Sequence, residues 1–291
     1  MSTKTLAWCR AHHCPAFVMS DSKYDDEERT WWKEWLKSWL YVRKFDGALV
    51  GGDQHAAYVA QLGIPKNRIF KGYDAVDNSH FSRAADESKA NELMVRSRYP
   101  KMPQRPYFMA AFRLMPRKNA TALLAAYAAY RSSLGIDAWD LVICGSGEQR
   151  EELLSLIQTH QLNDSIHLVG FLPYHEVGHW YGLARAFIHP ALKEQWGLVV
   201  NEACAAGLPI LCSDTVGSVP DLVHPGVNGF LFNPEKLEDM TTAMVKMQHV
   251  GDEARKRMGQ ESRRLVAACA PEVFGDSLVR AVSYISKFQV N

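Results

Sequence analysis

The sequence predicts an α/β protein with two doubly wound parallel sheets, the first of them incomplete. Three observations carry this. Beyond residue 106, short apolar runs alternate with stretches of helical spacing: strands are expected at 107–112, 139–144, 167–169, 186–189 and 209–212, and helices at 120–134, 148–162, 175–183 and 202–206. Alternation at this pace implies parallel strands with helices over both faces. Glycine and serine gather where these strands end, as in Gly145-Ser146-Gly147, and that is the edge where such sheets hold ligands. The first hundred residues repeat the pattern thinly, with strands expected at 16–19, 47–50 and 68–71, a long helix after the first and another at 53–62. Three strands are few for a complete sheet of this kind.

Pro100, Pro103 and Pro106 close the helix-like stretch 83–98 and read as a linker. The expected division is therefore a first domain at 1–102, a second at 103–271 and a terminal helix at 272–291 that returns to the first. With 47% apolar and 22% charged residues and a net charge of +1, the composition is that of a globular protein with no overall attraction for nucleic acid. No apolar run reaches the roughly 18 residues of a membrane span, and the first four residues lead into no apolar signal core. A cytoplasmic location is expected. Cys144, Cys204, Cys212 and Cys269 stand singly in apolar stretches, as buried free thiols do. Cys9 and Cys14 flank His12 and His13, but no second pair has ligand spacing, so this segment reads as a buried strand and its turn and no metal is assigned.

The densest chemistry lies in 189–209, HPALKEQWGLVVNEACAAGLP. Glu194 and Glu202 stand eight positions apart, and Trp196-Gly197-Leu198 reads as a loop entering a helix. A helix start offers unpaired N–H groups and the positive end of its dipole, a natural anion site, and Gly197 lets the backbone come close to a ligand. Glu194 then falls before the helix and Glu202 on its second turn. The two carboxylates can accept hydrogen bonds from hydroxyl groups on either side of a bound phosphate, which is the layout of a sugar nucleotide.

This segment resembles the Glu-x7-Glu signature of the retaining glycosyltransferases of the glycogen-synthase and sucrose-synthase type, the family 4 group. Pro190, Ala203, Gly207-Leu208-Pro209 and Ser213 match the same pattern. The resemblance implies the GT-B fold, two Rossmann-like domains facing a cleft, with the N-terminal, acceptor-side one incomplete here. It implies that Glu194 contacts the donor sugar and Glu202 the ribose, with Gly197, Leu198 and Val199 at the helix start. Upstream, FRLMPRKN at 112–119 resembles the family's Gly-Arg-Leu-x-x-x-Lys-Asn loop, although Ala111-Phe112 replaces its leading glycine; Arg113 and Lys118 would hold the diphosphate. Gly145 and Gly147 resemble a strand-Gly-x-Gly turn, and Phe171 and Leu172 lie in a segment that resembles the base contact. The Gly145 turn lacks a full G-x-G-x-x-G fingerprint, so NAD is not read here. Asp77-Asn78-Ser79-His80-Phe81 resembles the segment before the domain crossover. Asn228-Gly229, ahead of an apolar run, is expected as a hairpin turn.

A hexosyltransferase follows from the resemblance. It would move a sugar from a UDP- or GDP-linked donor, itself a substrate, to a hydroxyl acceptor with retention, with no cofactor and no metal, as in polysaccharide or glycoconjugate assembly. The implied acceptor is a saccharide, a lipid-linked saccharide or a small molecule. A sugar-nucleotide epimerase or a binding module without transfer activity are the alternatives. The family's N-terminal glycine-rich loop and histidine have no counterpart, and the corresponding segment offers Asp21 and Lys23, with Gly51 and Gly52 after the next strand; a fragment or an alternative start is expected. Trp31, Trp35 and Trp39, with Trp32 beside them, fall at i, i+4 spacing within a basic segment. Either these tryptophans pack in the first-domain core, or they lie on an anionic inner membrane face.

Overall fold

The computed structural model describes residues 3–286. Along the chain the elements run α1 (Thr3–Ala11), β1 (Phe17–Ser20), α2 (Trp31–Leu40), β2 (Gly47–Val50), α3 (Asp53–Gln61), β3 (Ile69–Lys71), α4 (Asn78–Ala90), α5 (Glu92–Arg98), β4 (Tyr107–Ala111), α6 (Ala120–Leu134), β5 (Asp140–Cys144), α7 (Arg150–Thr159), β6 (Ile166–Gly170), α8 (Tyr174–Leu183), β7 (Ala186–His189), α9 (Leu198–Ala205), β8 (Ile210–Ser213), α10 (Val219–Leu222), β9 (Gly229–Phe232), α11 (Leu237–His249), α12 (Asp252–Val266) and α13 (Pro271–Ser286). They form two compact units. The larger is Asp77–Ala267; the smaller joins the residues up to Val76 with those from Ala268 onward.

In the larger unit six parallel strands lie in the order β6-β5-β4-β7-β8-β9. The chain enters at β4, builds outward through β5 and β6, then returns to lay β7, β8 and β9 on the other side. β4, β5, β7 and β8 are buried at every position, as their continuous apolar sequences require of strands covered on both faces. Tyr107, Tyr127 and Tyr130 are fully buried, yet their hydroxyls are satisfied: Tyr107 donates to the Trp180 carbonyl at 2.6 Å and Tyr127 to the Trp139 carbonyl at 2.9 Å, while Tyr130 donates to the Gln248 side chain.

The division falls before Asp77, not at the proline cluster. Asp77 caps α4, accepting from the His80 N–H at 2.9 Å, and α4 packs on α8 through small residues. A Cβ on Gly182 would stand 2.7 Å from Ala85 Cα, and one on Gly178 would stand 2.7 Å from Ala84 Cβ. The prolines end α5 but stay inside the unit, where Met102 is buried and Arg96 donates to the Pro103 carbonyl. Nor does Asn228-Gly229 make a hairpin. β9 runs parallel to β8, so α10 supplies the crossover that parallel strands need. Asn228, wholly buried, donates to the Leu222 carbonyl at 2.8 Å and to Ser262 Oγ at 3.2 Å, while Gly229 admits Ile210 where a Cβ would collide with its carbonyl oxygen.

The smaller unit holds a three-stranded parallel sheet in the order β1-β2-β3, with a core of Val18, Val42, Val50, Tyr58, Val59 and Ile64. α13 belongs here: Tyr284 accepts from Asn67 at 2.8 Å and Phe274 meets Tyr73. The Cys9–Cys14 segment is the end of α1 and its exit turn, not a buried strand; Cys14 is exposed. The tryptophans do not pack in the core either. α2 turns its polar side inward, where Tyr58 donates to Glu34 at 2.5 Å, Lys37 donates to the Tyr58 hydroxyl at 2.9 Å, and buried Ser38 donates to the Leu62 carbonyl at 2.5 Å. That leaves Trp31, Trp35 and Trp39 on the outer side, 81%, 62% and 60% exposed. Among the described residues no helix is long and apolar enough to cross a membrane.

Candidate functional site

In the larger unit β4 and β7 are neighbours that continue in opposite directions across the sheet, so their C-terminal ends open a crevice. Most of the residues singled out in the sequence lie there. A cavity of about 630 Å³ is lined by Arg113, Gly145, Gly147, Phe171, Leu172, Val199 and Glu202, joined by Tyr174. Glu194, Lys118, Gly197 and Leu198 do not line it. Glu194, Lys118 and Gly197 form a second cluster, linked to it by the loop into α9.

The cavity floor depends on two glycines. Past the ends of β4 and β5 the chains keep pairing: the Phe112 N–H donates to the Cys144 carbonyl and the Leu114 N–H to the Ser146 carbonyl, both at 3.0 Å. A Cβ on Gly145 would lie 1.9 Å from the Phe112 oxygen, and one on Gly147 would lie 2.1 Å from the Leu114 oxygen; Gly145 also holds φ at +139°. No side chain fits at either place. The contact carries Arg113 to the rim, where its side chain is exposed.

α9 begins at Leu198, four residues ahead of its expected start, with Gly197 before it at φ +95°. A Cβ there would press on Glu194 Cγ at 3.2 Å and on Val216 at 3.3 Å. The helix opens toward the same edge, with N–H groups of its first turn that have no intrahelical acceptor. Trp196 locks the entry from behind, donating Nε1–H to Asn201 at 2.8 Å.

The two glutamates sit in opposite electrostatic states. Burial alone would raise the Glu194 carboxyl, but a hydrogen bond from His189 at 3.2 Å and the charge of Lys118, which is bonded to the same oxygen, hold it down to about 2. His189 is wholly buried, and burial pushes its imidazole below the ordinary value, so near neutral pH it stays uncharged and donates its Nε2–H. Glu202 is different: burial raises its carboxyl to about 7, only partly offset by the Tyr181 hydroxyl that donates to it at 2.9 Å.

A family model described as glycosyl transferases group 1 matches residues 95–265, more than half of the chain. The chain belongs to the glycosyl transferases group 1 family. Among curated proteins, it is similar to an alpha-D-kanosaminyltransferase of Streptomyces kanamyceticus, 28% identical over 70% of this chain and 51% of that protein. It is also similar to an O-antigen chain mannosyltransferase B of Escherichia coli, 26% identical over 64% of this chain and 46% of that protein. The chain thus spans about half the length of these relatives. Among solved structures, Anabaena HepE in complex with UDP aligns with a TM-score of 0.79 at 15% identity, covering 96% of this chain and 75% of that one. A sucrose-phosphate synthase from Thermosynechococcus elongatus aligns with a TM-score of 0.74 at 21% identity, covering 98% and 71%. The fold is GT-B, with parallel α/β sheets in both units.

In this chain the sequence pointed to both glutamates and to Lys118, but not to Tyr181 and His189, which also set the glutamates' charge. Tyr181 and His189 lie in helix and strand positions whose apolar surroundings read as core. In the smaller unit Asp21, Gly51 and Gly52 follow β1 and β2 at one sheet edge; Asp74, beyond β3, was not singled out. Burial and then the charge of Asp21 push the Asp74 carboxyl up to about 7. Lys23 is enclosed, with its ammonium on Asp25 at 2.8 Å and its N–H on Asp26.

A carboxyl raised from 4.5 to about 7 binds more protons folded than unfolded, so stability falls as pH rises through that window. Glu202→Gln removes the titration. The variant is expected to be more stable than the parent at pH 8, by up to about 3 kcal/mol, and so to melt at a higher temperature, and to show no such gain at pH 4. Equal melting shifts at both values would refute the buried, proton-retaining Glu202.

Proposed function

We propose that the chain carries the donor site of a retaining family 4 glycosyltransferase, which moves a sugar from a UDP- or GDP-linked donor to a hydroxyl acceptor. The observation that carries this reading is the convergence on one sheet edge of two carboxylates, the start of α9 and two cations of the 112–119 loop. UDP in the HepE complex supports the nucleotide class. In this reading Phe171 and Leu172 meet the base and Glu202 accepts from the ribose hydroxyls. The diphosphate lies between Arg113, Lys118 and the N–H groups of Gly197, Leu198 and Val199. Glu194, held ionised, accepts from hydroxyls of the donor sugar.

The bond to the anomeric carbon breaks through an oxocarbenium-like state while negative charge grows on the phosphate. Charge already fixed at that place stabilises the transition state more than the ground state. Arg113 and Lys118 supply it, and the mechanism requires no metal. The acceptor hydroxyl attacks from the leaving-group face and gives its proton to the departing phosphate, so the anomeric configuration is retained. Asp21, Gly51, Gly52 and Asp74 are the proposed acceptor-side groups.

Labelled UDP- and GDP-sugars, offered with a mixture of hydroxyl acceptors, should yield glycoside with the donor's anomeric configuration by proton NMR. Lys118→Ala and Arg113→Ala should each lower turnover about 100-fold while leaving uridine or guanosine affinity nearly unchanged. An inverted product contradicts retention. Nucleotide binding with no transfer to any acceptor would leave a binding module.

We also propose peripheral contact with the inner membrane face through α2 by a protein of the cytoplasm. Trp31, Trp32, Trp35 and Trp39 are exposed together, with exposed Lys33, Arg43 and Lys44 close by in sequence. The protein should sediment with vesicles rich in phosphatidylserine and be released as salt rises. Trp31→Ser with Trp35→Ser should abolish sedimentation and keep nucleotide affinity; unchanged sedimentation refutes the contact.

A further inference from the structure

A second polar cavity, of about 390 Å³, lies in the larger unit at the opposite edge of its sheet, where Arg185 leads into β7 and Pro209 into β8. Its walls hold five basic side chains and two carboxylates: Lys89 from α4, Arg185, and Arg255, Lys256 and Arg263 from α12, against Asp86 and Asp252. Both carboxylates are already engaged. Asp86 takes the Arg263 guanidinium at 2.6 and 3.1 Å, and Asp252 pairs with Arg255. Among the described residues Lys89, Arg185 and Lys256 have no carboxylate at ion-pair distance.

Two of the cations converge. Lys89 Nζ lies 3.5 Å from the Ala206 carbonyl oxygen at the end of α9, and Arg263 donates to that same oxygen at 3.3 Å. Burial and then the charge of Arg263 lower the affinity of Lys89 for its proton. The Arg263 Nε–H is buried and has no acceptor. Glycines make this crowding feasible: a Cβ on Gly207 (φ +78°) would strike Arg263 Nε at 2.7 Å, and one on Gly259 would strike the Gly207 oxygen at 2.1 Å. Like charges gathered beside a cavity repel, and the two carboxylates do not balance them. A multivalent anion does, and guanidinium and ammonium groups together suit phosphate oxygens.

We propose that this basin binds a small phosphorylated ligand carrying two or more negative charges, held by Lys89, Arg185 and Lys256 and separate from the donor site. It lies at the N-terminal ends of β7 and β8, while Glu194 and Glu202 follow their C-terminal edge, so the two sites share no residue.

Inorganic pyrophosphate is the probe, titrated by calorimetry into three full-length proteins: the parent, Arg113→Ala with Lys118→Ala, and Lys89→Gln with Arg185→Gln and Lys256→Gln. The donor-loop variant should keep a pyrophosphate site that weakens as salt rises, and the basin variant should lose that site by tenfold or more. The result does not depend on whether UDP binds. Equal affinity in the parent and the basin variant overturns the proposal, as does loss of all binding in the donor-loop variant alone. Arg185 and Lys256 are exposed, and Lys89 is exposed except at its ammonium end, which is tucked against the Ala206 carbonyl, so folding should survive their replacement. Should the triple variant not fold, Lys256→Glu alone is titrated in its place: at least threefold weaker binding supports the basin, and unchanged affinity overturns it.

Discussion

Everything at the donor edge depends on one close contact between backbones. The segment after β4 lies against the segment after β5 because Gly145 and Gly147 present no side chain where the Phe112 and Leu114 carbonyls pass. Remove that contact and Arg113 leaves the rim, the cavity floor opens, and the 112–119 loop no longer brings Lys118 to Glu194. Glycine is required here by space as well as by dihedral angle, since Gly147 has no unusual φ yet has no room for a Cβ. The same device recurs where α4 meets α8 and where α12 meets the end of α9, so the larger unit is organised by close packing around glycine.

On that scaffold two chemically identical side chains acquire different states. Glu194 has a buried imidazole donor and an ammonium on one oxygen and stays ionised; Glu202 has a tyrosine hydroxyl and apolar walls and holds its proton to about 7. Ribose hydroxyls that donate to Glu202 in the proposed site favour its charged form over its protonated one. Binding and proton release are coupled at one end of the proposed site and not at the other.

Much of this was legible in the sequence, for physical reasons. Buried parallel strands are continuous apolar runs, so β4, β5, β7 and β8 could be placed to within a residue or two. The Glu194–Glu202 spacing was informative because Gly197 reads as a loop entering a helix and because the flanking residues resemble the family's pattern. What failed were inferences from one residue type read locally. Prolines mark where a helix stops, but whether a domain also stops depends on packing such as that of α4 on α8. Asn-Gly suggests a hairpin only if the next strand is antiparallel, and β9 is parallel. The tryptophan spacing left core and membrane face both open, and the Tyr58–Glu34–Lys37 network rules out the core by giving α2 a polar inner side. Tyr181 and His189 were invisible because their roles depend on partners 21 and 5 residues away, reached only through the fold.

The central claim is that the edge between the 112–119 loop and α9 holds a nucleoside diphosphate. The most direct measurement is a crystal structure of the chain with UDP. The account predicts the diphosphate between Arg113, Lys118 and the first turn of α9, with ribose hydroxyls on Glu202 and the base beside Phe171. A nucleotide bound elsewhere, or one whose ribose lies away from Glu202, would contradict it.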